Sequence, residues 1–330
     1  MKNKYTNKYV ISTGMGLQDV DGLKNSTYFV NESERYIRGE ISIDELNEII
    51  ESYYKQKPNA EIRSEEADKV SIRIAKLLSE DSFTFTVGQL VTIHKTLFEG
   101  ILENAGKLRT YNFSKKEWVL DGASVIYGDF RELEMTLQYD FDLERQFRYQ
   151  RLTIDEIIEH LSVFISNLWQ IHAFEEGNTR TTAVFTIKYL RSLGFNVTND
   201  SFAKNSWYFR NSLVRANYNN FVKGIQADRI YLIRFLRNLI LNEHNELRNR
   251  DLHIHTIEES ESDNTRDNRK NRVVELIKNN PSIKSEDIAK KVGVSLRTIK
   301  SLLATLENEK VIKRANGKRY GYWVIIQNNI

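Results

Sequence analysis

The chain has 330 residues, of which 40% are hydrophobic and 28% charged, with two prolines, no cysteine and a formal net charge of +3. That is enough material for two or three domains with a sizeable core, and the scarcity of proline favours helices. The lack of cysteine excludes a disulfide framework, and no run reaches the roughly twenty apolar residues of a membrane span, so composition predicts a cytoplasmic protein without a membrane partner.

Residues 1–60 show helical periodicity through Ile37, Ile41, Leu46, Ile49 and Ile50 and read as a small segment ahead of the main body. Residues 61–250 carry successive amphipathic stretches at 67–78, 87–98, 131–141, 154–170 and 178–193. Between the second and third of these, Trp118-Val-Leu120 and Val125-Ile-Tyr127 are β-branched and aromatic, with turn residues between them, and read as a short hairpin. Apolar positions Ile157, Leu161, Phe164, Ile165 and Leu168 lead into residues 172–180, and Val184, Phe185, Ile187 and Leu190 lead out. Those nine residues are therefore a loop between two helices. Within it stand a histidine suited to proton abstraction near neutral pH, a carboxylate, a glycine turn and an arginine at a helix N-terminus, where free N–H groups favour an anion. His94 and His160 fall in helical patterns and read as packing or hydrogen-bonding residues.

Residues 251–268 are polar and acidic without a useful period and read as a linker. From 269 to 330 there are fourteen basic and five acidic residues, a net of +9, which leaves −6 for the rest of the chain. Such segregation points to a polyanion as partner of the tail. Val273 to Ile277 mark one helix, Ser285 caps a second through Val292, Gly293 turns the chain, and Ser295 caps a third whose Leu296, Ile299, Leu303 and Leu306 face a core. Asn316-Gly317 makes a hairpin turn. The arrangement resembles a winged helix domain, with Arg297, Thr298 and Lys300 on the recognition helix and Lys318 and Arg319 on the wing as candidate DNA-binding residues. Protein contact is the alternative use of such a domain.

The segment His172-Ala-Phe-Glu-Glu-Gly-Asn-Thr-Arg180 resembles the signature loop of the Fic/Doc family, His-Pro-Phe-x-(Asp/Glu)-Gly-Asn-Gly-Arg-x-x-Arg. The resemblance implies a mainly α fold, a Fic-type helical bundle with a β-hairpin flap, followed here by the winged helix-turn-helix domain. It implies AMP transfer from MgATP to a Ser, Thr or Tyr hydroxyl of a target protein or of the chain itself. His172 would be the base, Glu176 would hold magnesium, and Gly177, Asn178, Thr179 and Arg180 would cradle the phosphates, with Thr179 bringing a hydroxyl close to them. Asn217 is a candidate base contact. Ala173, Thr179 and Ala183 depart from the pattern, and the last removes the arginine that grips terminal phosphates. Transfer of a different phosphate-containing group is thus an alternative, as is a nucleotide-sensing DNA-binding regulator without catalysis. The N-terminal segment resembles an antitoxin module with a Ser/Thr-x-x-x-Glu-Gly/Asn helix. Here Leu17 and Asp21 stand in its key places, and with Ala183 opposite, the inhibitory clamp is expected to be lost on both sides.

Overall fold

The computed structural model describes residues 5–56, 62–254, 269–315 and 321–326. It divides into two compact bodies, Met1–Ile254 and His255–Ile330. The wing residues Lys318 and Arg319 lie outside the described residues, as do 255–268 of the expected linker.

The first body is helical. Helix α1 (Asn7–Gly16) starts where the Thr6 hydroxyl accepts from Tyr9 N, and a short 3-10 turn, Leu17–Asp21, follows it directly. Then come α2 (Thr27–Ile37), capped by Ser26, α3 (Ile43–Gln56), α4 (Ile62–Ser79) and α5 (Val87–Phe98), capped by Thr86. After a long connection come α6 (Leu133–Gln146) and α7 (Ile154–Ile171), the latter opened by a capping box between Thr153 and Glu156. Helices α8 (Asn178–Ser192), α9 (Ser201–Ala216) and α10 (Ile230–Leu241) follow. A 3-10 turn at Asn249–Leu252 ends this body with Leu252 and Ile254 buried, so the first residues of the expected linker belong to the core.

Helix α8 is the centre of the body. It is buried on every side from Asn178 to Leu190 and packs against α4, α5 and α7. Its buried lysine is bonded: Lys188 Nζ donates to Leu77 O at 2.7 Å and Glu80 O at 2.8 Å, closing the end of α4. The N-terminal segment is integral to this core. Helix α1 packs on α4 and α9. Gly16 lies so close to α9 that a Cβ there would stand 2.2 Å from the Ala203 carbonyl oxygen, which no larger residue allows.

The connection expected to be a hairpin flap forms no strand ladder among the described residues. Trp118–Leu120 is a 3-10 turn, closed by Glu117 N to Ala123 O and Gly122 N to Glu117 O, both 2.9 Å. The reason lies in where the other polar groups go. Arg109 N bonds the Ala173 carbonyl, and Gly128 N the Gln170 carbonyl, so the two ends of this stretch pair with the end of α7 and the loop beyond it, and its backbone-to-backbone bonds between 109 and 128 close only the turn at 117–123.

The second body has helix α11 through the described residues 269–279, α12 (Ser285–Val292) and α13 (Leu296–Asn308), then strands β1 (Ile312–Ala315) and β2 (Tyr322–Ile325). The strands pair antiparallel with Ile312 opposite Ile325 and Arg314 opposite Trp323. Gly293, at φ 77°, ends α12, and the Ser295 side chain caps α13; Ser285 is the first helical residue of α12 and makes no cap bond. Val273, Ile277, Ile288, Ile299, Leu303, Leu306 and Trp323 fill a separate core. No helix among the described residues is long and apolar enough to cross a membrane.

Candidate active site

Six residues, 172–177, join α7 to α8, and both ends of the loop take left-handed backbone: His172 at φ 52° and Gly177 at φ 72°. The loop is closed from inside. Asn178 accepts from Phe174 N at 3.0 Å and donates to Phe174 O at 2.7 Å, so its amide braces the loop. The Phe174 ring lies flat on His94, 3.8 Å between centroids. His94 Nδ1 accepts from Gly106 N at 2.8 Å; its proton is therefore on Nε2, which donates to the Glu176 carbonyl at 3.0 Å. Burial pushes the His94 pKa down to about 4, so this imidazole is a neutral strut. Gly177 touches Phe98: a Cβ would meet the ring at 2.3 Å, in a conformation that side chains already resist.

His172 is only 3% exposed, and neither ring nitrogen has a hydrogen-bond partner among the described residues. Its backbone is fixed by Arg109, whose Nε donates to His172 O at 2.7 Å and whose Nη1 donates to Tyr111 O at 2.7 Å. Tyr127 stacks on the imidazole at 3.9 Å, with Trp169 and Phe113 meeting it edge-on. Burial holds the His172 pKa well below its usual value, and the positive charges of Lys115, Arg210 and Arg109 push it the same way. The ring is thus neutral and unbonded, the form in which imidazole can accept a proton.

The N-terminus of α8 has no side-chain cap, which leaves its first-turn N–H groups for an anion. Arg180 stands there, 1% exposed, but it is occupied. Its Nη2 donates to Glu66 Oε1 at 2.8 Å and its Nη1 to Gln18 Oε1 at 3.1 Å, and the guanidinium lies over the Phe98 ring. Asp21 Oδ2 is 2.9 Å from Arg180 Nε, close enough for an ion pair although the N–H does not point along the contact. The expected loss of the clamp is corrected here. Asp21 finds the earlier loop arginine instead of position 183, where Ala183 is fully buried.

The remaining expected residues divide. Glu176 is exposed, and no group of three His, Asp or Glu residues capable of holding a metal occurs among the described residues. Thr179 is buried and its hydroxyl accepts from Trp169 Nε1 at 3.0 Å, so it faces the core and not the loop opening. Asn217 donates to Ser166 O and Leu213 O and ties α9 to α7. On α13, Arg297 and Lys300 are exposed, whereas the Thr298 hydroxyl is 2.8 Å from the capping Ser295 hydroxyl.

His94 packs and hydrogen-bonds as its helical setting predicted, whereas Arg109, Gln18, Glu66 and the Tyr127 stack were not legible in the sequence, because each acts through a contact between distant segments. Beside Asp21 a cleft of about 690 Å³ opens, lined by Lys116, Glu117, Trp118, Trp207 and Arg210. A larger one of about 930 Å³ lies along α1 and α9; neither cleft is lined by a residue of the loop, but the smaller one holds Asp21, the partner of Arg180.

Residues 84–190 match the Fic/DOC family, and residues 266–313 match the winged helix-turn-helix DNA-binding family. The first body thus carries a Fic-type transferase domain, and the second body a winged helix domain. No curated protein matches the chain. Among solved structures it is similar to the N-terminal FIC domain of a VirB-translocated effector protein from Bartonella sp. 1-1C, at 18% identity and TM-score 0.43, over 56% of this chain and 88% of that one. A Fic family protein from Desulfovibrio desulfuricans is similar at 14% identity and TM-score 0.38, over 80% and 76%. The N-terminal Fic domain of an effector from Bartonella sp. AR 15-3 is similar at 19% and 0.40, over 58% and 83%.

Proposed function

We propose that the first body transfers AMP from MgATP to a hydroxyl of a target protein or of the chain itself. The observation that carries this reading is the pairing of a neutral, unbonded His172 with the uncapped N-terminus of α8 at the two ends of one braced loop. A proton acceptor and an anion site on one short loop are what phosphoryl-group transfer to a hydroxyl requires. His172 takes the acceptor's proton. The first-turn N–H groups of α8 and Arg180 hold phosphate oxygens. Glu176 offers a carboxylate beside them, and one carboxylate with phosphate oxygens is a common way of holding magnesium, whose role when bound is to neutralise phosphate charge. Asp21 and Glu66 on Arg180 restrain the reaction, because a phosphate must compete with carboxylates for the same guanidinium. Incubation with ATP labelled at either the α- or the γ-phosphate tests the reading: AMP transfer leaves the α-label on protein and releases the γ-label.

A second reading is favoured by the occupied Arg180 together with the winged helix domain: a DNA-binding regulator that senses a nucleotide without turnover. It predicts ATP-dependent change in DNA affinity and no label on protein.

A further inference from the structure

We propose that Tyr127 is a plug on His172 that keeps acceptor hydroxyls away from the imidazole, and that it is latched through Glu117 to Arg210 on the wall of the neighbouring cleft. The proposal rests on the reading of His172 as the base.

A hydroxyl must come within about 3 Å of a ring nitrogen to give up its proton. Neither nitrogen of His172 meets solvent, and the face of the ring is covered by Tyr127, tilted by only 17° from parallel. A structural histidine would satisfy its nitrogens, as His94 does; leaving two buried and unbonded is costly, so the closed arrangement must be held by other contacts. Those contacts are visible. The Tyr127 hydroxyl donates to Glu117 Oε1 at 3.3 Å. Glu117 is 1% exposed, and its charge is balanced by Arg210, which grips both carboxylate oxygens, Nη2 to Oε1 at 3.0 Å. On either side of Tyr127 the main chain is pinned to one residue, with Gln170 Nε2 donating to Ile126 O at 3.1 Å and Gly128 N donating to Gln170 O at 3.3 Å.

The plug is also poorly anchored on its outer side. Ile126 is 84% exposed and Trp118 49%, so the stretch is held from its inner side alone, by Val119, Leu120 and Val125 in the core. Glu117 and Arg210 both line the cleft beside Asp21. The latch therefore ends where an anionic ligand could compete for Arg210, while the plug ends on the base.

Carbethoxylation by diethyl pyrocarbonate, which attacks neutral imidazole, tests this in the full-length protein. Peptide mass spectrometry follows His172 beside the exposed His244. In the parent, His172 is expected to react at least about tenfold more slowly than His244, as local opening limits it. Tyr127→Ala should raise the His172 rate about tenfold with circular dichroism unchanged, and Tyr127→Phe, which keeps the ring and loses the latch bond, should raise it about two- to threefold. Arg210→Gln, read in the same way, serves if Tyr127→Ala does not fold, and should raise the rate about threefold. Equal rates for His172 and His244 in the parent, or no acceleration in the folded variants, would overturn the plug. Acceleration without any transfer of label from nucleotide would uphold the plug and count against His172 as a base.

Discussion

Replacing Asp21 by asparagine removes one negative charge beside Arg180 while keeping the shape of the turn. At the observed 2.9 Å, two unit charges attract by about 1.4 kcal/mol under bulk-water screening and by about 6 kcal/mol at an effective dielectric of 20. The lower part of that range applies. The Asp21 side chain is 30% exposed, its contact lacks hydrogen-bond alignment, and Glu66 remains on the guanidinium after the substitution. Relief of about 1.5–3 kcal/mol converts to roughly ten- to hundredfold tighter binding of a triphosphate that must capture Arg180. Isothermal titration of MgATP into the full chain and Asp21→Asn measures this, with Asp200→Asn as an exposed control carrying the same charge change. Affinities for Asp21→Asn within twofold of the parent, or weaker, would refute the competition for Arg180.

Gly177→Ala should lower the melting temperature of the first body by about 4–8 °C, because it combines a positive φ with a collision on Phe98; differential scanning calorimetry reads it. Acid should destabilise this body in a defined window. His94 takes up a proton near pH 6.5 when unfolded but only near pH 4 when folded, so its contribution is full above pH 6.5 and is lost as pH falls towards 4; His172 acts in the same direction. Denaturant titrations from pH 7 to 4 should show the decline, and His94→Gln should flatten part of it. For the second body, DNA binding by the full chain should weaken steeply with salt, and Arg297→Ala should weaken sequence preference more than Lys290→Ala; gel shifts that show no binding at low salt would favour protein contact.

The helices around the site were legible because their apolar residues repeat at helical spacing, and the loop was legible because His172, Phe174, Gly177, Asn178 and Arg180 stand at fixed offsets between two such helices. What those residues do was less so. Asn178 could have faced a ligand or its own loop, and only the position of Phe174 decides for the loop. Thr179 was expected among the phosphate-cradling residues, yet one helical step turns its hydroxyl to Trp169. The Asp21 contact was misjudged because Ala183 was the partner considered, while Arg180, on the same helix, is also within reach of the 3-10 turn. The flap read as a hairpin from its β-branched residues, but hydrogen bonds to the α7 end decide its form, and no local propensity reports them.

His172 as the base of AMP transfer is tested by the labelling rate from α-labelled ATP in Asp21→Asn, where Arg180 has lost one carboxylate partner, beside the double variant Asp21→Asn, His172→Ala. Labelling should fall by about 10²- to 10⁴-fold on removal of the base, with MgATP affinity changed little. Label retained at the same rate without His172, or label that follows the γ-phosphate, would contradict it.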